Sequence, residues 1–323
     1  MKKSFYKFLS IALPLALGIF LIWYVFKQFT PEQLTELRLH FENANYWYVT
    51  LSVLLSVVSH VIRAYRWNFL LQPLGYFPKL ANNFMAVSVA YLMNIFIPKS
   101  GEVSRAVVLT KYEDVPFDKG FGTIISERIV DLILLALFIG FALFLQFDVL
   151  YDYLIDVVPI KKLVLFMGIG AVMFLSFLAF LRYSKSKLSL KIGTLIRGLK
   201  EGVFSILKMK KKGAFIFWSL VIWGLYFASF YVATQALQQT AGISLGILVT
   251  AFVVGSFTFG FTNSGFGTYP AAVMGILLVF GIAETVGTAF GWIVWTSNMA
   301  YIIISGGISF LALPFYNKKK LTT

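Results

Sequence analysis

The sequence predicts an all-α polytopic membrane protein: about six full crossings plus two oppositely oriented re-entrant helical hairpins, arranged as an inverted repeat. Three observations predict it. The chain is 59% apolar and only 13% charged over 323 residues, with mean hydropathy +0.81, far outside soluble composition. Its basic residues are concentrated in a few segments, which sets the orientation of the spans. Two apolar stretches are broken midway by proline and glycine, at places where the parity of crossings requires the chain to return to the side it left.

Composition also excludes. With no cysteine there is no disulfide, thiolate metal site or cysteine nucleophile. His40 and His60 are too few and too far apart to suggest a metal centre, and no cofactor is expected. The net charge of +14 could suggest nucleic acid, but lysines and arginines beside spans are expected on topological grounds alone, so no nucleic-acid partner is expected. The whole chain, 1–323, reads as a single membrane domain.

The elements follow in order. Residues 8–26 form a peripheral first span too long for a signal peptide, and Lys2, Lys3 and Lys7 before it put the N-terminus in the cytoplasm. The mildly acidic loop 27–45 is exterior. Tyr46, Trp47 and Tyr48 open a crossing over 46–71 as an interfacial aromatic belt, and Arg63 and Arg66 lie toward its inner end. Those arginines either snorkel to the headgroups or face a cavity and hold phosphate.

Residues 80–97 are apolar, 98–119 are charged, and a long helix runs over 120–147. After Asp148, Asp152 and Asp156, a linking span over 161–181 leads to segment 182–213, where ten basic residues face one Glu201. That segment is cytoplasmic and rests on anionic headgroups. The helix 120–147 therefore starts inside, yet 80–97 also starts inside. Residues 80–111 must form a re-entrant hairpin, with its tip at 94–102 and with Pro98 and Gly101 as breakers. Irregular backbone at membrane depth is tolerated only beside protein or a water-filled cavity, so a polar cavity is expected at this tip.

In the second half only Glu284 is charged between Ala214 and Asn317, so no cytoplasmic loop is expected there. Residues 214–238 cross outward, and 286–313 return to a cytoplasmic C-terminus at Lys318, Lys319 and Lys320. Residues 243–282 then enter and leave on the exterior side, broken by Gly265, Gly267 and Pro270. The first repeat spans 46–147 and the second 214–313, in opposite orientation. Inverted repeats with broken helices near the midplane are a secondary-transporter architecture, and the location is the cytoplasmic membrane, multi-pass.

Three motifs add a resemblance. Asn94-x3-Pro98-x2-Gly101-Glu102-x2-Arg105, then Glu127-Arg128-x2-Asp131, then Ser264-Gly265-Phe266-Gly267 resemble the membrane domain of lysylphosphatidylglycerol synthase/flippase proteins, from about Tyr46 onward. That resemblance implies movement of phospholipids or lipid-linked headgroups across the inner membrane. Fused members carry a cytosolic aminoacyl-transferase domain. None is present in these 323 residues, so synthase activity is not carried over. Where the family commonly has a glutamate after the glycine pair, this chain has Tyr269-Pro270, which leaves the exterior hairpin without a carboxylate.

The charged residues allow two readings. Glu102 and Arg105 are one helical turn apart, and Glu127, Arg128 and Asp131 are spaced for contacts along one helix. They form either a mutually neutralised network that pins the hairpin to helix 120–147, or a site in which Arg105 and Arg128 bind a lipid phosphate while Glu102 and Glu127 balance them. Asn94, Asn263, Ser264 and Tyr269 are added as hydrogen-bonding candidates for the headgroup. His60 is expected to bond between helices. The expected function is a flippase-like transporter whose partners are membrane lipids; a homo-oligomer and a separately encoded synthase are both compatible with it. The rivals are a scaffold subunit of a lipid synthase and a membrane-embedded enzyme, a glycosyltransferase or hydrolase, acting on a polyprenyl-phosphate lipid. An enzyme's only adjacent carboxylate pair here, Glu113-Asp114, sits in a short loop, and the sequence carries no catalytic constellation.

Overall fold

A computed structural model describes residues 19, 20, 23, 24, 26–149, 168, 176, 209–262 and 264–318. Most of the expected first span 8–26, all but two residues of the linking span 161–181, most of the basic segment 182–213, and Asn263 lie outside them. Among the described residues every regular element is a helix.

Helix α1, Pro31–Asn43, begins at a capping box: Thr30 Oγ1 accepts from the Gln33 amide at 3.3 Å, and Gln33 Oε1 accepts from the Thr30 amide at 2.9 Å. Asn45 caps α2, Tyr46–Leu71, whose start and end match the sequence expectation. A 3₁₀ turn over Gln72–Leu74 leads through Gly75, with φ +88°, toward α3, Leu80–Phe96. Next come α4, Gly101–Glu113, and α5, Phe117–Leu145. Helix α6, Lys212–Thr234, is followed by the single turn α7, Gln238–Ala241. The chain closes with α8, Leu245–Phe261, α9, Thr268–Val279, and α10, Glu284–Tyr316. Helices α2, α5, α6 and α10 are long and apolar enough to cross a bilayer, whereas α3, α8 and α9 are shorter apolar helices.

Helices α3 and α4 run antiparallel, because the Lys79 amide before α3 donates to Glu113 at the end of α4, at 3.0 Å. The turn between them, 97–100, is tied by side chains. Asn94 Oδ1 accepts from the Gly101 amide at 2.7 Å, and Ser100 Oγ donates to Ile97 O at 2.7 Å. Pro98 lies in this turn. Gly101 does not: it is the first residue of α4, and a Cβ there would strike the Ala90 carbonyl and the Asn94 side chain, so glycine is required for close approach.

Helices α8 and α9 also run antiparallel, with the Tyr269 ring against the Gly255 backbone. Their turn uses left-handed conformations at Ser264, Gly265 and Gly267, with φ of 53°, 71° and 66°. Pro270 is no breaker here. It occupies the first turn of α9, where an amide proton has no intrahelical acceptor, and its backbone packs against Gly291 of α10.

Helix α10 packs on both hairpins in succession. Its first half follows α9, with Gly287 against Met274, Gly291 against Pro270, and Trp295 Nε1 donating to Ser264 O at 2.9 Å. Trp295 thereby holds the second turn. The second half follows α3: Gly306 lies against the Ser88 carbonyl and Leu92, and Asn317 exchanges two 2.9 Å hydrogen bonds with Asn82. Both turns therefore lie beside the middle of α10, and they touch: Lys99 Nζ donates to the Gly260 carbonyl at the end of α8. Two apolar cores flank this level. One, at the Leu71, Leu109, Phe215 and Leu313 end, holds both outer ends of α3 and α4; the other, at the Ala44, Ala142, Ala236 and Leu248 end, holds those of α8 and α9.

Candidate functional site

Between the two cores lies a cluster of charge. Helix α2 contributes Arg63 and Arg66, one turn apart; α4 contributes Glu102 and Arg105; α5 contributes Glu127, Arg128 and Asp131. Arg63 with Arg66 and Glu102 with Arg105 are three apart, and Glu127 with Asp131 four apart, so each of these pairs projects from one face of its helix, with Arg128 beside them toward the rim. Arg63, Arg66, Arg105, Glu127 and Asp131 are all buried. Arg63 and Arg66 do not snorkel: at 3% and 0% exposure they point into the bundle, where carboxylates meet them.

The pairing crosses between helices. Arg63 Nη2 is 2.7 Å from Asp131 Oδ2, and Arg66 reaches Asp131 Oδ1 and Glu127 Oε1, each at 3.3 Å. Arg66 Nη1 also donates to Ser219 Oγ of α6 at 2.7 Å. Arg105 donates to Glu127 Oε2. Its guanidinium carbon stands 3.6 Å from the centroid of the Trp67 ring, and Trp67 Nε1 is held by Thr123 Oγ1 at 2.8 Å. The outermost pair is Arg128 with Glu102, at 2.8 Å, with side chains 41% and 22% exposed. Glu102 and Arg105 thus pair with α5 and not with each other, which binds the hairpin to α5 as the first sequence reading expected.

Pairing does not exhaust the cluster. Four arginines (Arg63, Arg66, Arg105, Arg128) face three carboxylates (Glu102, Glu127, Asp131), an excess of one positive charge among the described residues. Arg63 Nε, Arg66 Nε, Arg105 Nε, Arg105 Nη2 and Glu102 Oε2 are buried with no hydrogen-bond partner. A pocket beside them, lined by Arg63, Tyr91, Asn94, Glu102, Arg105 and Arg128, has free space of about 10 Å³, room for about one water. Closed by the Arg128–Glu102 pair at its rim, the pocket has space for a water only; a larger anion reaches these desolvated and oriented guanidinium groups when that pair parts. Among the described residues no cluster of histidine and carboxylate side chains has metal-binding geometry.

The remaining expected residues divide. Asn94 lines the pocket while its Oδ1 holds the Gly101 amide. Ser264 and Tyr269 belong elsewhere: Ser264 serves the second turn through its carbonyl, and Tyr269 packs in the other apolar core. Neither lines the pocket, because the second hairpin meets the first at Gly260, the end of α8, while Ser264 and Tyr269 turn toward Trp295 and the other core. His60 bonds between helices as expected, sharing a 3.0 Å hydrogen bond with Tyr301 and stacking on Tyr91 at 4.5 Å.

Sequence reasoning missed Tyr91, Trp67, Ser219 and Lys99. The first two carried a readable signal, since Tyr91 is one turn before Asn94 and Trp67 one turn after Arg63. Ser219 and Lys99 had none, because their partners are remote in the chain.

The comparisons place the chain among membrane proteins. A UPF0104 membrane protein of Methanocaldococcus jannaschii is 35% identical over 105 residues, 32% of this chain and 30% of the relative, so the match spans under a third of that protein. No solved structure matches the chain. The family model for the lysylphosphatidylglycerol synthase TM region matches residues 11–306. With nearly its whole length covered by that match, the chain belongs to the lysylphosphatidylglycerol synthase TM region family.

Proposed function

We propose that this protein is a flippase-like transporter that moves a phospholipid or a lipid-linked anionic headgroup across the cytoplasmic membrane. One observation carries the reading: a buried arginine cluster with one unbalanced positive charge and unpartnered N–H groups, placed where the tips of two opposed hairpins meet. An ionised group held in a membrane bundle is costly, and unsatisfied donors add to the cost, so their retention fits binding of a migrating anion.

In this reading α3 and α4 form a re-entrant hairpin entering from the cytoplasm, α8 and α9 form its inverted counterpart from the exterior, and both termini are cytoplasmic. Membrane lipids are the partners. The role in this reading is transport, with each carboxylate of the cluster held by at least one guanidinium as its counter-charge. Arg128 and Glu102 form the outer gate of the site, and their separation opens a path to Arg105 and Arg63 behind them. The headgroup passes along the charged cluster while its tails stay in lipid. Binding then alternates between the two faces as one hairpin rocks against the other.

Reconstitution in liposomes tests this. Fluorescent lipids quenched from one leaflet should equilibrate faster with the wild-type protein than with an Arg105→Ala/Arg128→Ala double variant of equal monodispersity. Arg105→Lys, which keeps the charge but loses the planar stack on Trp67, should fall between them. Wild type and double variant behaving identically across a lipid panel would remove the reading.

A further inference from the structure

The unpartnered atoms around the pocket are of two opposite kinds. Arg63 Nε and Arg105 Nε and Nη2 are donors that want an anion; Glu102 Oε2 is an acceptor that wants a donor. Arg63 and Arg105 are each 97% buried, and all three residues line one pocket. A bare anion satisfies only the arginines and sets a second negative charge beside Glu102. A ligand that carries both an anionic group and hydrogen-bond donors satisfies all of them.

Charge narrows the class. The cluster has an excess of one positive charge, so a single negative charge neutralises it. A phosphodiester carries one. A phosphomonoester carries about 1.5 to 2 at neutral pH and overshoots. A zwitterionic headgroup brings no net charge and leaves the excess buried, and a cationic one increases it. The donor that Glu102 needs therefore comes from a hydroxyl and not from an ammonium group. Tyr91 lines the same pocket, with its ring stacked on His60 at 4.5 Å.

We infer that this site, opened by the parting of Arg128 from Glu102, selects a monoanionic phosphodiester whose headgroup donates hydroxyl hydrogen bonds, with Arg63 and Arg105 on the phosphate and the released Glu102 on a hydroxyl. The inference rests on the transport reading only in taking the ligand to be a lipid. Two lipids share this chemistry, a glycerol- or inositol-headed phospholipid and a polyprenyl phosphosugar.

The test measures binding of the full chain in neutral nanodiscs to five probes: phosphatidylglycerol, a polyprenyl phosphohexose, phosphatidylmethanol, phosphatidic acid and phosphatidylethanolamine. At least one of the first two should bind about tenfold more tightly than phosphatidylmethanol, the worth of one hydrogen bond to a charged group, with phosphatidylethanolamine weaker still. Competition between the first two identifies the source. Arg128→Gln, at the exposed rim, removes the charge excess and should level phosphatidylmethanol with phosphatidylethanolamine. Glu102→Gln raises the excess to two and should shift preference toward phosphatidic acid. Phosphatidylethanolamine or phosphatidylmethanol binding the wild type as tightly as the hydroxylated diesters overturns the inference, even where neither variant folds. Selective binding without flipping would overturn the transport reading and leave this one standing; flipping without headgroup selectivity would do the reverse.

Discussion

Arg63 of α2 and Asp131 of α5, sixty-eight positions apart in sequence, meet at 2.7 Å inside the bundle. The contact joins two of the helices long and apolar enough to cross a bilayer, at the level where the hairpin turns also lie. It sits at the centre of the network: Asp131 also receives Arg66 at 3.3 Å and lies 3.7 Å from Arg128.

Removing one member should therefore cost more than removing both. Asp131→Asn leaves two buried guanidinium groups short of a counter-charge, and a loss of about 3–5 kcal/mol is expected. Arg63→Met/Asp131→Leu replaces the pair with apolar groups and should recover much of that loss while lowering lipid transport. Thermal unfolding in detergent, read beside the liposome assay, checks both. A single variant as stable as wild type would mean that the buried charges are solvated in some other way.

The two hairpins should move against each other for transport. Lys99 spans them, with its ammonium on the Gly260 carbonyl and its backbone in the left-handed region at φ 61°. The chain has no native cysteine, so Lys99→Cys/Gly260→Cys can be joined selectively by a short thiol-reactive cross-linker. Cross-linked protein should lose flipping activity and regain it when a cleavable linker is reduced. Full activity while joined would show that the tips need not part.

The adjacency of Lys79 and Glu113 at the outer ends of α3 and α4 makes a topological prediction. Single cysteines at these two positions should be labelled by an impermeant maleimide only from the cytoplasmic side of oriented vesicles, and a cysteine at Gly281, beyond α9, only from the exterior. Labelling of Lys79→Cys and Glu113→Cys from opposite sides would make α3 and α4 ordinary crossings.

Much of this was legible in the residues. The helix over 46–71 emerged with the same bounds, and the break expected within 80–111 falls between two antiparallel helices, Leu80–Phe96 and Gly101–Glu113, because proline, glycine and the limits of apolar runs act locally and leave local marks. Arg105, Arg128, Glu102, Glu127 and Asp131 were singled out together because charges in an apolar chain need partners somewhere. Pro270 was misread for an equally physical reason: a proline breaks a helix in its interior but suits its first turn, and which of these applies depends on where the helix begins.

Sequence alone determined that this chain lives in a membrane, where its helices break, and which side chains had to find one another, since hydrophobic transfer and backbone satisfaction are set by composition and local pattern. Tertiary structure decided the pairing. Arg63 and Arg66 could have reached the headgroups, and only the placement of Glu127, Asp131 and Ser219 on neighbouring helices turned them inward. The excess positive charge and the unpartnered atoms of Arg63, Arg105 and Glu102 likewise exist only once α2, α4 and α5 are packed, because satisfaction of a charge is a property of its neighbours in space.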